Sequence, residues 1–170
     1  MNTEIQFSEE RELSREAVEA LYRSVGWSSA EKPEQLHAAL RNAHRLVTAW
    51  DRERLVGAGY AISDGSLVVY YPHLIVHPEY QRQGIGAAIM QRLMAHYHGF
   101  HQQSIIADAA SVPFYEHLGF VRAGRQDRAW LVFNLQVGSV DSLGRRNFDG
   151  TEAVDACAEE VPPQAIRVAK

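Results

Sequence analysis

Cysteine is almost missing from this chain: Cys157 is the single one among 170 residues, so no disulfide can form within it. Basic charge is in deficit, with 17 Lys and Arg against 21 Asp and Glu, and a net charge of -4 gives no electrostatic case for a nucleic-acid or anionic-membrane partner. No apolar run approaches the roughly 20 residues a membrane helix needs. The strongest, Leu67 to Val76, is interrupted by Tyr70, Tyr71, Pro72 and His73. The acidic start Met1 to Glu12 lacks the basic and apolar regions of a secretory signal, so a cytoplasmic location is expected. What is present is 46% hydrophobic residues in a length suited to one ordinary domain.

Apolar periodicity organises the chain. After a short strand candidate at Ile5 to Phe7, the residues Ala17, Val18, Leu21, Tyr22 and Val25 recur at helical spacing behind Ser14, and Gly26 stops that helix. Pro33 opens a second helix with Leu36, Ala39 and Leu40 on its apolar face. The loop between the two carries Trp27, an aromatic placed to meet substrate. Leu46 to Trp50 and Leu55 to Ile62 read as a hairpin turning at Asp51 to Arg54, and Leu67 to Val76 as a central strand buried on both faces.

Gly84 then opens a helix with Ile85, Ala88, Ile89, Leu93 and Met94 on one face, and Ser104 to Ala107 reads as the next strand. Strand, helix and strand in succession form a βαβ unit with parallel pairing. A short helix at Val112 to Leu118 and strands at Phe120 to Ala123 and Ala129 to Leu135 complete a mixed α/β fold over residues 1 to 137. Residues 138 to 170 hold six acids, four bases and the Pro162-Pro163 pair with no sustained apolar period, and read as a flexible tail.

The chemistry concentrates where the buried strand runs through Val76-His77-Pro78-Glu79-Tyr80-Gln81-Arg82-Gln83-Gly84-Ile85-Gly86 into a helix. Free N-H groups and the positive end of the helix dipole converge there, and the glycines let a diphosphate approach the backbone. A dinucleotide fingerprint does not fit, since Ile89 stands where the third glycine belongs and the loop is too long. About thirty residues on comes Phe114-Tyr115-Glu116-His117-Leu118-Gly119-Phe120, a one-turn helix carrying Tyr115 and closed by glycine.

Gln81-x-x-Gly84-x-Gly86 followed by Phe-Tyr-x-x-Leu-Gly-Phe resembles the GNAT superfamily of N-acetyltransferases, and the segments 55 to 65 and 72 to 86 also look like bacterial and plastid relatives of the arylalkylamine N-acetyltransferases. The resemblance implies a central mixed, largely antiparallel sheet of six or seven strands flanked by about four helices. It implies acetyl-CoA as cosubstrate, without a metal. The diphosphate would lie on the backbone of Arg82, Gln83, Gly84, Ile85, Gly86 and Ala87 near Gln81, with pantetheine along Leu74, Ile75 and Val76. Asp108 stands where many relatives have a cofactor-contacting asparagine, a place where a carboxylate would repel phosphate.

An alkylamine with pKa ~10.4 needs about 4.6 kcal/mol at pH 7 to lose its proton before it can attack a thioester. Many relatives keep a Glu or His on the strand before the phosphate loop for this purpose; here the strand offers Tyr70, Tyr71 and His73 and no carboxylate. His73, with an ordinary imidazole pKa near 6.5, is the candidate base, with a tyrosine or water as alternatives. Tyr115 is the candidate acid for the departing thiolate, a transfer uphill by only ~2 kcal/mol at ordinary pKa values. Trp27, Tyr70 and Tyr71, joined by Tyr60, are candidates to shape the acceptor pocket.

The expected activity is acetyl transfer to a small primary amine by direct attack. A protein or peptide amine as acceptor and a non-catalytic acyl-CoA sensor are the alternatives. The resemblance also makes a homodimer one expected assembly. His96, His98 and His101 lack ligand spacing for a metal, and Cys157 has no paired base.

Overall fold

A computed structural model describes residues 4 to 121 of the chain. The elements run β1 (Gln6–Ser8), α1 (Arg15–Ser24), α2 (Pro33–Asn42), β2 (Arg45–Asp51), β3 (Arg54–Ser63), β4 (Val68–Val76), α3 (Ile85–Ala95), β5 (Gln102–Ile105) and α4 (Val112–His117). Local signals account for the helix ends. The Ser14 hydroxyl accepts from the Ala17 N-H at 3.1 Å and caps α1, Pro33 occupies the first turn of α2, and Gly84, at φ 83°, stands before the first residue of α3.

The five strands lie in sequence order, each antiparallel to the last except β5, which pairs parallel with β4. The intervening α3 supplies the crossover that a parallel pair needs. This is the mixed, largely antiparallel sheet and four-helix complement expected from the sequence. The strand count is five among the described residues, short of six or seven. Phe120 and Val121 are not in strand, and the segments Ala129 to Leu135 and 138 to 170 lie outside the described residues.

Each face of the sheet carries its own core. On one face Val18, Leu21 and Tyr22 of α1 and Leu36 and Leu40 of α2 pack over Leu46, Ala58, Tyr60 and Ile75. On the other, Ile85, Ile89, Met90 and Leu93 of α3 pack over Val47, Ala49, Val56 and Val69. Burying each large aliphatic side chain contributes about 1.5 to 3 kcal/mol. Gly57 and Gly59 let α3 settle that close: a Cβ at Gly59 would come within 2.7 Å of Ile89 Cγ2. Among the described residues no helix is long and apolar enough to cross a membrane.

Two elements differ from expectation. β5 begins two residues early, at Gln102, because its backbone pairs Val68 to Tyr71 with Gln102 to Ile105. Backbone pairing recruits two glutamines that an apolar count skips. β4 is not uniformly buried either: Val69, Tyr71 and Ile75 are, whereas Pro72, His73 and Leu74 are only half-buried.

Candidate active site

The opening in the sheet begins where β5 ends. Tyr71 opposite Ile105 is the last pair between β4 and β5, yet β4 continues to Val76. The His77 N-H bonds the Val56 carbonyl at 2.8 Å, which sets the phase of the β3–β4 ladder. Bonded positions alternate in an antiparallel pair, so His73 and Ile75 bond toward β3 while Leu74 and Val76 turn their N-H and C=O groups outward into the opening. The Gln81 amide already donates to the Val76 carbonyl at 3.0 Å, tying the next loop to that edge.

That loop leads to the head of α3. The first helical backbone bond there is Ala88 N-H to Gly84 C=O, at 2.9 Å, and among the described residues no hydrogen bond uses the amides of Arg82 to Ala87. Such a row of free donors at a helix N-terminus suits an anion. Arg82 is in the left-handed region at φ 59°, and its exposed guanidinium has no partner among the described residues. The loop is buttressed from behind: Arg54 donates to Glu79 at 3.0 Å and to His77 Nε2 at 2.8 Å, while the Tyr80 hydroxyl donates to Asp51 at 2.6 Å. Gly86 faces the opening, where a Cβ would lie 3.5 Å from Phe114 and 3.6 Å from Val76.

On the α1 face of β4 stands His73. Its Nδ1 lies 3.0 Å from the Tyr22 hydroxyl, and its ring meets Trp27, Tyr60 and Tyr22 at centroid distances of 5.0, 5.2 and 5.6 Å. These walls are apolar and close, and the resulting burial lowers the His73 pKa to about 4. This corrects the premise that His73 titrates near 6.5: the ring is neutral at pH 7 and a weaker proton acceptor than expected. Burial likewise pushes the Tyr22, Tyr60 and Tyr70 hydroxyls above their ordinary values, so all three stay protonated. A cavity of about 330 Å³ lined by Arg23, Gly26, Trp27, Ala30 and Glu31 adjoins the Trp27 side.

Tyr115, on α4, is half-buried against Phe114 and Phe120, and its hydroxyl has no hydrogen-bond partner among the described residues. Burial first, and the Asp108 carboxylate second, raise its pKa to about 12. Asp108 accepts from the Ser111 N-H at 2.9 Å and its hydroxyl at 3.1 Å, so it organises the entry to α4.

Trp27, Tyr70 and His73 share one face of the sheet, as a joint acceptor pocket requires. Tyr71 does not join them. It is fully buried on the α3 face against Tyr97 and Phe120, and its hydroxyl donates to Gln103 at 2.6 Å. Its expected place beside substrate is thereby corrected to a place in the core. Tyr22, in turn, reads from sequence only as part of an apolar helical stripe; its partner lies 51 residues away, and no local signal marks the pairing. Among the described residues no three His, Cys, Asp or Glu side chains gather to hold a metal ion, and His96 bonds Glu9 at 3.1 Å.

A sheet split after a parallel βαβ pair, with a helix head of unengaged amides beside the split, is the architecture of an acyltransferase domain of the GNAT type. The model of the acetyltransferase (GNAT) domain matches residues 9–133, and the chain belongs to this family. It is 29% identical over 111 residues to a protein named uncharacterized N-acetyltransferase ycf52 from Gracilaria tenuistipitata var. liui, covering 61% of this chain and 60% of that one. It is 29% identical over 139 residues to the chloroplastic GCN5-related N-acetyltransferase 2 of Arabidopsis thaliana, covering 69% and 54%. The chain thus matches little more than half the length of these two curated relatives. Among solved structures, a GNAT family acetyltransferase from Streptococcus pneumoniae TIGR4 superposes with a TM-score of 0.63 at 31% identity, over 69% of this chain and 88% of that one.

Proposed function

We propose that this protein transfers the acetyl group of acetyl-CoA to the amine of a small molecule by direct attack. The observation that carries this reading is the opening between β4 and β5, whose Leu74 and Val76 edge leads to six unengaged amides at the head of α3. A coenzyme A fits these residues chemically. Its diphosphate matches the amides of Arg82 to Ala87, with the Arg82 cation alongside and Gln81 bracing the edge, and the amide groups of pantetheine match the outward N-H and C=O groups of Leu74 and Val76. Ile75, by its phase, serves the opposite core.

The amine arrives from the face bearing Trp27, Tyr60, Tyr70 and His73, where aromatic walls suit a small organic amine. Water in the opening between β4 and β5 takes the proton of the ammonium form, the freed lone pair attacks the thioester carbonyl carbon, the C-S bond breaks, and the nitrogen releases a second proton to water. Tyr115 donates to the departing thiolate and is reprotonated from solvent. With Tyr115 at about 12, complete transfer to a thiolate of ordinary pKa ~8.5 is uphill by about 5 kcal/mol rather than ~2. The burial that raises the phenol also raises a thiol held beside it, and this narrows the gap. The same reading retains a cytoplasmic setting.

Thiol release from acetyl-CoA against arylalkylamines, polyamines, amino acids and peptides, with calorimetric titration of coenzyme A in parallel, tests the proposal. Turnover names the acceptor class. Binding without turnover would instead identify a sensor, and absence of coenzyme A binding would remove the reading altogether.

A further inference from the structure

The Tyr22–His73 contact fixes more than a position. Tyr22 is fully buried, and its hydroxyl has one hydrogen-bond partner among the described residues, His73 Nδ1 at 3.0 Å. A buried O-H that donates to nothing is disfavoured, so the hydroxyl proton lies on this contact and Nδ1 accepts it. A neutral imidazole has one N-H, which the acceptor role of Nδ1 leaves on Nε2. Among the described residues no buried side-chain nitrogen or oxygen lacks a partner, and Nε2 has none there; Nε2 is therefore accessible, on a ring that lies on the Trp27 and Tyr60 face.

We propose that His73 acts as a fixed Nε2-H donor rather than as the proton acceptor, its tautomer set by Tyr22, and that it reads a hydrogen-bond-accepting oxygen on the amine substrate. This rests on the acetyl-transfer reading and narrows its substrate class to amines that carry a hydroxyl, ether or carbonyl oxygen near the amino group. The groups whose rings face His73 are Tyr22, Trp27 and Tyr60, all uncharged, with Tyr70 beside Tyr60. A neutral oxygen therefore suits these uncharged rings better than a carboxylate, because Arg23, the cation in the adjoining cavity, is already paired with Glu19 at 2.6 Å. The burial that keeps the ring neutral preserves the donor, since a protonated ring would force the Tyr22 hydroxyl to turn away from Nδ1.

Two measurements decide the matter. Nitrogen-15 NMR of the protein, with the His73 signals assigned by their loss in His73→Gln, is expected to show Nε2 protonated and Nδ1 bare at neutral pH. In Tyr22→Phe, which keeps the ring and removes the donor, the signals should shift toward a mixture of tautomers. In turnover, His73→Gln keeps an N-H donor without a proton-accepting nitrogen. It should retain kcat/KM within about threefold, while His73→Ala loses about tenfold, the usual effect of one hydrogen bond. The preference of the wild type for an oxygen-bearing amine over its carbon isostere should shrink by a similar factor in His73→Ala. A wild-type ring protonated on Nδ1, or a Gln variant as impaired as the Ala variant, would overturn the proposal. Absence of turnover with every amine would sink the acetyl-transfer reading and with it the substrate class, while the tautomer result stands or falls separately.

Discussion

Tyr70 and His73 are three residues apart on one strand yet face the same side of the sheet. Tyr60 pairs with His73 and Ile62 with Tyr70, so Tyr71 and Pro72 together oppose Ala61 in a β-bulge. Pro72 cannot donate to a ladder, and a bulge is one of the few places a strand accepts it. The extra residue shifts the alternation, which sends Tyr71 into the α3 core and brings His73 round to meet Tyr22 and Trp27.

Neighbouring tyrosines should therefore behave oppositely. Tyr71→Ala is expected to lower unfolding free energy by about 3 to 5 kcal/mol, as for other large aromatic truncations in a core. Tyr70→Ala should change it by about 1 kcal/mol or less and act mainly on KM for the amine. Urea denaturation beside amine saturation curves separates the two, and equal destabilisation would contradict the bulge.

Two glycines facing α3 and the opening should also divide. Gly59→Ala places a Cβ at 2.7 Å from Ile89 and should destabilise by about 1 to 3 kcal/mol through overpacking. Gly86→Ala meets only ordinary contacts at 3.5 Å and beyond, so stability should hold while calorimetry shows weaker coenzyme A binding.

Removing the Arg82 charge should weaken coenzyme A binding about threefold to fivefold, the worth of an exposed ion pair, and flatten its dependence on salt. Because Arg82 already bears a Cβ at φ 59°, Arg82→Ala removes the charge and leaves the backbone strain unchanged, whereas Arg82→Gly removes both the charge and the strain. Loss of binding in Gly alone would show that loop geometry, not charge, holds the diphosphate.

Tyr115→Phe should reduce kcat about a hundredfold with coenzyme A affinity retained. A pKa of about 12 keeps the phenol protonated throughout the working range, so wild-type rates should show no alkaline limb from Tyr115 below about pH 11. Unchanged kcat in Tyr115→Phe would take this residue out of the reaction.

Acid stability supplies a check independent of turnover. His73 has a folded-state pKa of about 4 against an ordinary 6.5, so below pH 6.5 the unfolded chain binds the proton more readily. Stability from this group is full above pH 6.5 and falls as pH drops toward 4, by on the order of 2 to 3 kcal/mol. In His73→Gln the loss between pH 7 and 4.5, followed by denaturation at each pH, should be correspondingly smaller.

Much of this was legible in the chain. The α1 and α2 stripes, the hairpin of β2 and β3, the crossover through α3, and the glycines at its head all follow from periodicity and from residues whose backbone preferences are local. The Gln81 to Gly86 loop and the Phe114 to Phe120 segment marked the candidate site because a helix head that suits phosphate uses contiguous backbone, which sequence spacing preserves.

Side-chain direction was not legible in the same way. Tyr70, Tyr71 and His73 look alike in sequence as polar aromatics on a strand, and only the pairing of β4 with β3 decided which of them share a face. The environment of His73 comes from α1, from the loop after it and from β3, through contacts distant in sequence. Its pKa and tautomer therefore belong to the folded molecule. The sequence by itself determined which elements form and where an anion can sit, since those depend on neighbours along the chain. The tertiary structure alone decided which aromatic meets which, because burial and hydrogen-bond partnership are properties of packing.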